Sequence, residues 1–383
     1  MDVEIATSLE AVTPAAWNAL VPAGDPFLRH EFLVAAERHG CVTAETGWTP
    51  RHLLLRKDGH LIGAMPLYLR TDSWGEFVFD WSWAQAWQRL GLPYYPKLTS
   101  AVPFTPATGA RLLVHPQAAD RACCRAALLE AALTQARTLG VSSLHVLFPS
   151  EDELSLARDQ GLLLRQDTQF HWQHAGEENF DGYLARFSSA KRKKIRRERR
   201  RVQEQGIRHV VRDGRAMTDE LWEVAWGFSA RTFLRRGRPP YLSLEFFREI
   251  GRSMGEQVVV ILAEVQDTPI AGAIFFRSDD TLYGRYWGAL DDFHSLHFET
   301  CYYQGIEYCL AEGLRRFEPG TQGEHKVARG FLPVATGSAH WIADPRLRAA
   351  VADYLERERS HVQHYMDEVE AHSPYRRESA PAP

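Results

Sequence analysis

Phe187-Ser-Ser-Ala-Lys191-Arg-Lys-Lys-Ile195-Arg-Arg-Glu-Arg-Arg-Arg201-Val-Gln-Glu-Gln-Gly206 divides the chain, and the segments on either side of it read as copies of one unit. Between Lys191 and Arg201 stand nine basic residues, one Glu and one Ile. The Ser188-Ser189 pair predicts a helix start, because a hydroxyl accepts from the free amides of a first turn. Gly206 predicts its left-handed stop. Leu184, Phe187, Ile195 and Val202 give only a thin apolar stripe, so most of this helix faces water or an anion. A solvated basic face and a phosphate-binding helix both fit, since clustered Lys and Arg set up a field that attracts polyanions. The segment carries a net +8 in a chain of formal net charge −4, which leaves −12 to the remainder. The basicity is local. It speaks for one confined anion site and against a general nucleic-acid coat, and no DNA partner is expected.

Outward from this stretch, the same order of elements appears twice. On the N-terminal side, Asp25-Pro26 predicts a helix start. Residues 52–56 and 61–70 read as strands joined by Lys57-Asp58-Gly59, a hairpin signal, and 76–83 reads as a third strand. The aromatic, proline-rich segment 81–116 shows neither period and is expected to be a large ordered loop, of a kind that tends to be functional. A helix over 118–139 and a strand over 141–148 follow. On the C-terminal side come a strand at 207–211, a helix near 219–235, a hairpin over 258–264 and 270–277, a strand at 281–289 and a helix at 298–313. An amphipathic helix over 345–369 precedes a tail, 373–383, expected to be disordered. Gly161 and Gly330, His171 and His340, and Trp172 and Trp341 are each 169 positions apart. This is the mark of a tandem duplication of one α/β unit. The division is a first domain over 1–175 with 81–116 as an insertion, a basic connecting helix over 176–206, and a second domain over 207–372.

The 383 residues suffice for two cores, and 45% hydrophobic with 25% charged residues is ordinary for a globular protein. Met1-Asp-Val-Glu-Ile lacks the apolar stretch of a signal peptide, and no run approaches the ~18 apolar residues of a membrane helix. Five cysteines without CxxC spacing fit a reducing compartment, so a cytoplasmic location is expected.

Reactive side chains concentrate in the second copy: Tyr286-Trp287, His294, His297, Glu299, Tyr302-Tyr303-Gln304, and then Gly323-Glu-His-Lys326 with Arg329. Glu299, Tyr302 and Tyr303 are expected on one face of the 298–313 helix, with Glu299 near its free amides, where capping is an equally good account. Glu324, His325 and Lys326 offer a base, a proton shuttle and a cation in a Gly-bounded loop after a strand; a polar surface turn is the plainer alternative. Arg329 has the fork that matches phosphate or carboxylate. His294, His297 and Glu299, like His361 and His364, match no closed zinc pattern, so no metal is expected. Cys301 lacks a nucleophile signature, and there is no Walker loop or GxGxxG.

Five blocks, Phe79-Asp-Trp-Ser-Trp-Ala84, Tyr94-Tyr-Pro-Lys-Leu98, Val102-Pro-Phe-Thr-Pro106, His297-Phe-Glu299…Tyr302-Tyr-Gln-Gly305 and Gly323-Glu-His-Lys326…Arg329-Gly-Phe331, carry a resemblance. They resemble a family of bacterial N-acyltransferases labelled as peptidoglycan biosynthesis or recognition proteins. It is similar to the Fem-type aminoacyltransferases, built from two acetyltransferase-like (GNAT) halves with mixed sheets. Lys194-Ile195-Arg196-Arg197 matches the basic helix that leads into their second half. No long coiled-coil arm is visible here, so the donor stays open between aminoacyl-tRNA and acyl-CoA.

The resemblance implies acyl transfer to an amine, on a peptidoglycan-precursor-like or small-molecule acceptor, with no tightly bound cofactor. Set against the residues, it makes His325 or Glu324 the base, with Glu299 next. Lys326 would stabilise the oxyanion, and Tyr302 or Tyr303 would protonate the leaving group. Arg329 with Lys191, Arg192, Lys194, Arg196 and Arg197 would hold donor phosphates. Trp83, Tyr94, Tyr95, Lys97 and Phe104 from the first copy, and Tyr286, Trp287, His297, Tyr303 and Gln304 from the second, would bind substrate. The alternative is an RNA- or polyanion-binding protein on a non-catalytic GNAT scaffold, whose affinity would fall steeply with salt.

Overall fold

A computed structural model describes residues 1–321 and 323–376. The chain forms two compact units that interleave in sequence: 1–167 with 241–246 and 335–363, and 168–240 with 247–334 and the residues from 364. The linear division at 175 and 207 is thus replaced by a more entangled one, in which the basic helix belongs to the second unit.

In the first unit Asp2–Ala6, His52–Lys57, His60–Met65 and Leu113–Val114 make an antiparallel sheet. A second sheet sets Ser143–Leu147 antiparallel to the end of Leu332–Ile342 and parallel to Lys97–Ser100, with Tyr68–Arg70 and Trp48–Pro50 beyond. A parallel pair demands a crossover. The helix Arg121–Leu139 supplies it, capped by the Asp120 side chain and stopped by left-handed Gly140. Leu128, Leu129, Ala132 and Leu133 of that helix pack on Leu53, Leu55, Leu98 and Leu144 to form the core.

In the second unit Arg208–Asp213, Val258–Val265, Thr268–Arg277 and Thr281–Ala289 form an antiparallel meander. Arg316–Glu318 then runs parallel to Thr281–Ala289, and a helix that ends in Gln304–Glu312 makes the crossover. The end of Leu163–Gln173 closes this sheet through Trp172 and Gln173.

The duplication is therefore a structural one, and the copies exchange their last strands. Gly161 (φ 78°) and Gly330 (φ 82°) each end a short helical segment and precede an eleven-residue strand, Leu163–Gln173 and Leu332–Ile342. Trp172 pairs with Phe317 in the second unit, whereas His340 and Trp341 pair with His145 and Leu144 in the first. Glycine is needed at 330, because a Cβ there would sit 2.4–2.5 Å from the hydroxyls of Tyr375 and Tyr183.

Four expectations are corrected. Asp25 accepts from the amides of Phe27 and Leu28 in a local turn, both of whose side chains enter the core, and the helix starts later, at His30–Arg38. Segment 76–83 is not a strand: Glu76 and Asp80 are drawn inward by Arg70 and Lys97, and Phe77 is left-handed (φ 60°). Segment 81–116 is not one loop; it holds the helix Trp81–Arg89, whose Trp83 and Trp87 share the buried face at i, i+4, and the buried strand Lys97–Ser100. Of the expected tail, the described part is ordered as far as Tyr375, which is half-buried against Phe187 and donates to the Gly330 carbonyl at 2.7 Å; residues 377–383 lie outside those described.

The core of the first unit also contains a histidine pair. His145 Nδ1 and His340 Nδ1 lie 2.6 Å apart, and each Nε2 meets a serine (Ser143, Ser338) at 2.8 Å. Burial, with Lys97 adding to it, pulls His145 down to about 3; burial and His145 pull His340 well below its usual range. Folded-state values lowered in this way mean that only the unfolded chain takes up protons just below pH 6.5. The first unit should accordingly lose about 2–4 kcal/mol of stability between pH 7 and 5 in urea melts. His340→Gln should flatten that slope; an unchanged slope would dissociate the pair from acid sensitivity.

Candidate active site

The basic helix is Ser189–Glu204. Its buried row is Ile195, Glu198 and Val202, three and four residues apart. The acid of this row decides the docking. Glu198 accepts from Arg329 Nη2 at 2.9 and 3.0 Å and from the Tyr303 hydroxyl at 2.5 Å. Arg329 Nη1 donates to the His325 carbonyl at 2.7 Å, and its guanidinium lies 3.4 Å from the centre of the Phe298 ring. Arg329 is thus committed within the protein and buried, and it is not the free phosphate anchor expected from its fork.

Next to Glu198, Arg199 donates to both Glu299 (3.1 and 3.2 Å) and Glu307 (2.9 and 2.8 Å) and lies over Phe180. The five residues Glu299–Tyr303 form a π-turn inside their helix, and Gln304 reaches back to Glu299 at 2.8 Å. This wider turn splits the expected common face. Glu299 and Tyr303 turn to the basic helix, and Tyr302 turns to His325. Burial pushes the Glu299 carboxyl up against the pull of Arg199, but its oxygens are already occupied, so it is a poor base. Gln304 also donates to Glu307 at 3.0 Å, so it braces this cluster.

The loop after Arg316–Glu318 carries the remaining candidates. Gly323 is left-handed (φ 113°) and bare because the His325 ring lies over it; a Cβ would come 2.2 Å from Cε1. His325 Nε2 is 2.9 Å from the Tyr302 hydroxyl, and Phe298 and His297 pack beside the ring. Burial, then Lys326 and Arg329, lower His325, so the imidazole favours its neutral form, yet the residue stays exposed to water. Burial alone dominates at His297, lowering it to about 4, and at Tyr302, which it pushes up. Lys326 is 1% exposed, and its Nζ donates to the Gly320 carbonyl at 2.6 Å. Burial pulls it down to about 7, helped by Arg285. Glu324 is exposed and accepts from Tyr365.

The structure therefore brings together Trp287, His297, Tyr302 and His325, with Trp287 and His297 rings 5.5 Å apart. Tyr286, next along the strand, faces the other side against Phe247 and Phe233. In the first unit Trp83, Tyr94 and Lys97 are buried in the core. Lys97 Nζ donates to Glu76 (2.7 Å), Asp80 (2.5 Å) and Ser73 (2.8 Å); Asp80 also accepts from Tyr94, and Trp83 lies edge-on to His340. Tyr95 bonds Ser73, and Phe104 stacks on Tyr241. Tyr94, Tyr95 and Lys97 thus share one buried network, while Trp83 and Phe104 pack on other rings of the same unit. Glu198 and Arg199 were not singled out from sequence, although one acid at i+3 from Ile195 and i−4 from Val202 was the available signal.

Two outcomes follow from these burials. Glu198→Ala leaves the Arg329 charge buried and unpaired and should destabilise the second unit by about 3 kcal/mol in chemical melts. Lys326 binds its proton less well folded than unfolded, so it costs stability fully below pH 7 and less as pH rises toward its usual value. Lys326→Met should raise stability by about 1–3 kcal/mol at pH 6.5, a gain that shrinks toward pH 10.

Among the described residues no helix is long and apolar enough to cross a membrane. No curated protein matches the sequence. The fold is similar to that of FemX (TM-score 0.53, 12% identity, covering 92% of this chain and 100% of that one). It is similar also to L-PGS from Bacillus licheniformis (0.53, 10%, 88% and 98%). A third likeness is to the C-terminal domain of a putative lysylphosphatidylglycerol synthetase from Agrobacterium fabrum (0.54, 10%, 89% and 95%). At these identities the likeness is one of fold, and it is the tandem GNAT-like fold of the Fem type. A family model named FemAB-like and described as peptidoglycan biosynthesis/recognition matches residues 8–377, nearly the whole chain. The chain belongs to the FemAB-like family.

Proposed function

We propose that this protein is an N-acyltransferase, moving an acyl or aminoacyl group from acyl-CoA or aminoacyl-tRNA to an amine, with a peptidoglycan-precursor-like or small-molecule acceptor. The family and the fold support transfer of acyl or aminoacyl groups. The observation that carries the reading is the water-accessible, neutral-leaning imidazole of His325 in contact with the Tyr302 hydroxyl.

An amine such as that of lysine has a pKa near ~10.4 and must lose a proton to attack. His325 takes that proton as the amine nitrogen bonds to the acyl carbonyl carbon. The C–S bond of a thioester, or the C–O bond of an ester, then breaks. Tyr302 gives its proton to the departing sulfur or oxygen and is restored by His325, so the net change is one proton from amine to leaving group. Among the three candidate bases, His325 is favoured because Glu299 is occupied by Arg199 and Gln304, and Glu324 by Tyr365. Lys326, titrating near neutrality, is a part-time cation rather than a permanent one.

His325→Ala should lower kcat/KM by about 10²–10⁴-fold, with thiol release from acetyl-CoA and deacylation of charged tRNA as parallel assays on primary amines. In the wild type the acid limb of the profile should fall below pH 6.5, as the lowered imidazole pKa requires, and it should vanish in the variant. Turnover unaffected by His325→Ala would remove this assignment.

A further inference from the structure

His325 sits on a turn too short to hold its own position. The segment Glu324–Arg329 is a 3₁₀ helix of six residues, a form with poorer hydrogen-bond geometry than an α-helix. It is bounded by left-handed Gly323 and Gly330 (φ 113° and 82°), residues at which the backbone turns most freely. Glu198 and Arg329 fix its middle, through the His325 carbonyl. Its ends must be held by something else, and the holds come from the last part of the described chain. We propose that Tyr365 and Tyr375 are positioning residues for His325 which, resting on the transferase reading, set the rate of transfer through the imidazole without touching substrate.

The last carbonyls of a helix have no partners within it. Here Tyr183 donates to the Arg329 carbonyl at 2.5 Å and Tyr375 to that of Gly330 at 2.7 Å. Tyr375 is itself fixed on all sides. Its ring packs on Phe187, and the Arg186 guanidinium lies 4.3 Å from its centre. The backbone around it is stitched to the residues before the basic helix. Ser188 N donates to the Pro374 carbonyl at 3.1 Å, and Arg376 N to that of Arg186 at 2.8 Å. At the other end of the turn, Tyr365 of the helix Pro345–Ala371 donates to Glu324 Oε1 at 3.0 Å. That pair lies in water, so it is the weaker hold of the two. Tyr365 and Tyr375 both pack on the core that contains Tyr302 and Phe331. One apolar cluster thus places Tyr302 and the turn of the His325 that it meets.

Tyr375→Phe and Tyr365→Phe each keep the ring and delete the donor. On the full chain, hydrogen exchange of the peptide 323–331 should quicken about tenfold or more in Tyr375→Phe and less in Tyr365→Phe, while the strands over 258–289 keep their rates. In Tyr375→Phe kcat should fall about ten- to hundredfold, with the KM of donor and amine changed less than about twofold, because a displaced base loses alignment rather than binding. Glu324→Ala should match Tyr365→Phe, and the two combined should cost no more than either alone, as for one shared contact. Glu324→Gln keeps an acceptor oxygen and should lose less than Glu324→Ala; equal, complete losses would make Glu324 the base and overturn its hold. Exchange unchanged in both tyrosine variants overturns the proposal, and so does a loosened turn with wild-type kcat. A loosened turn in a chain that transfers no acyl group would retain the holds and sink the transferase reading instead. In that case His325, followed by NMR, should titrate closer to its ordinary value in Tyr375→Phe, as the ring leaves Lys326, Arg329, His297 and Tyr302; an unmoved titration would sink the holds as well.

Discussion

A carboxylate withdrawn from water must be met by donors or it destabilises the fold that holds it. Glu198 is met by Arg329 and by Tyr303, and each of those reaches further. Arg329 continues to the backbone of His325 and covers Phe298; Tyr303 belongs to the π-turn that separates Glu299 from Tyr302. One buried ion pair thereby sets the position of the basic helix, the loop of His325 and the crossover helix at once. The nine cations around Glu198 never had to be buried. The helix docks through its acid and two apolar residues, so its positive charge is left at the surface.

The duplication makes the two copies comparable, and they have used their polar interiors differently. In the first unit Arg70 and Lys97 face Glu76 and Asp80, a cluster whose charges balance and whose members are almost fully buried. Such a closed cluster contributes specificity of packing more than reactivity. At the repeat distance of 169, His325 and Lys326 answer to Leu156 and Ala157, and Ala157 is part of the first core. The two copies thus differ at these positions, apolar in the first and titratable in the second, while both have the left-handed glycine and the eleven-residue strand that follows.

Much of this was legible in the sequence, and the failures have physical causes. The hairpin at Asp58-Gly59, the crossover helices and the repeat are local or periodic signals and were read correctly; the hairpin over 258–277 was also read, but its turn is Gln266-Asp267 and its second strand already begins at Thr268. The aromatic segment was not, because Glu76, Asp80 and Lys97 look like surface residues until their partners from distant positions are known. Trp83, Tyr94 and Lys97 were expected at a substrate wall for the same reason: aromatic and charged residues together suggest binding, but here Tyr94 and Lys97 share Asp80, and Trp83 lies edge-on to His340. Arg329 failed similarly, since its partner Glu198 lies 131 residues away. His325 and Tyr302 were singled out because both sit in short, dense clusters of reactive side chains. Their contact, and the exclusion of Glu299 by Arg199, depend on a π-turn that composition does not reveal.

The same helix also shows how a strongly basic segment can be specific. A field from clustered cations attracts any polyanion, and long side chains in water give it little shape. Shape comes from fixing some of them. Arg199 is held by two carboxylates and an aromatic ring, so its guanidinium is fixed, while Arg196 and Arg200 are mostly exposed, each beside one acid. The acids near this helix therefore do more than neutralise it: Glu198 docks it, Glu299 and Glu307 stiffen one arginine, and Asp181 and Glu204 pair with two arginines at the surface.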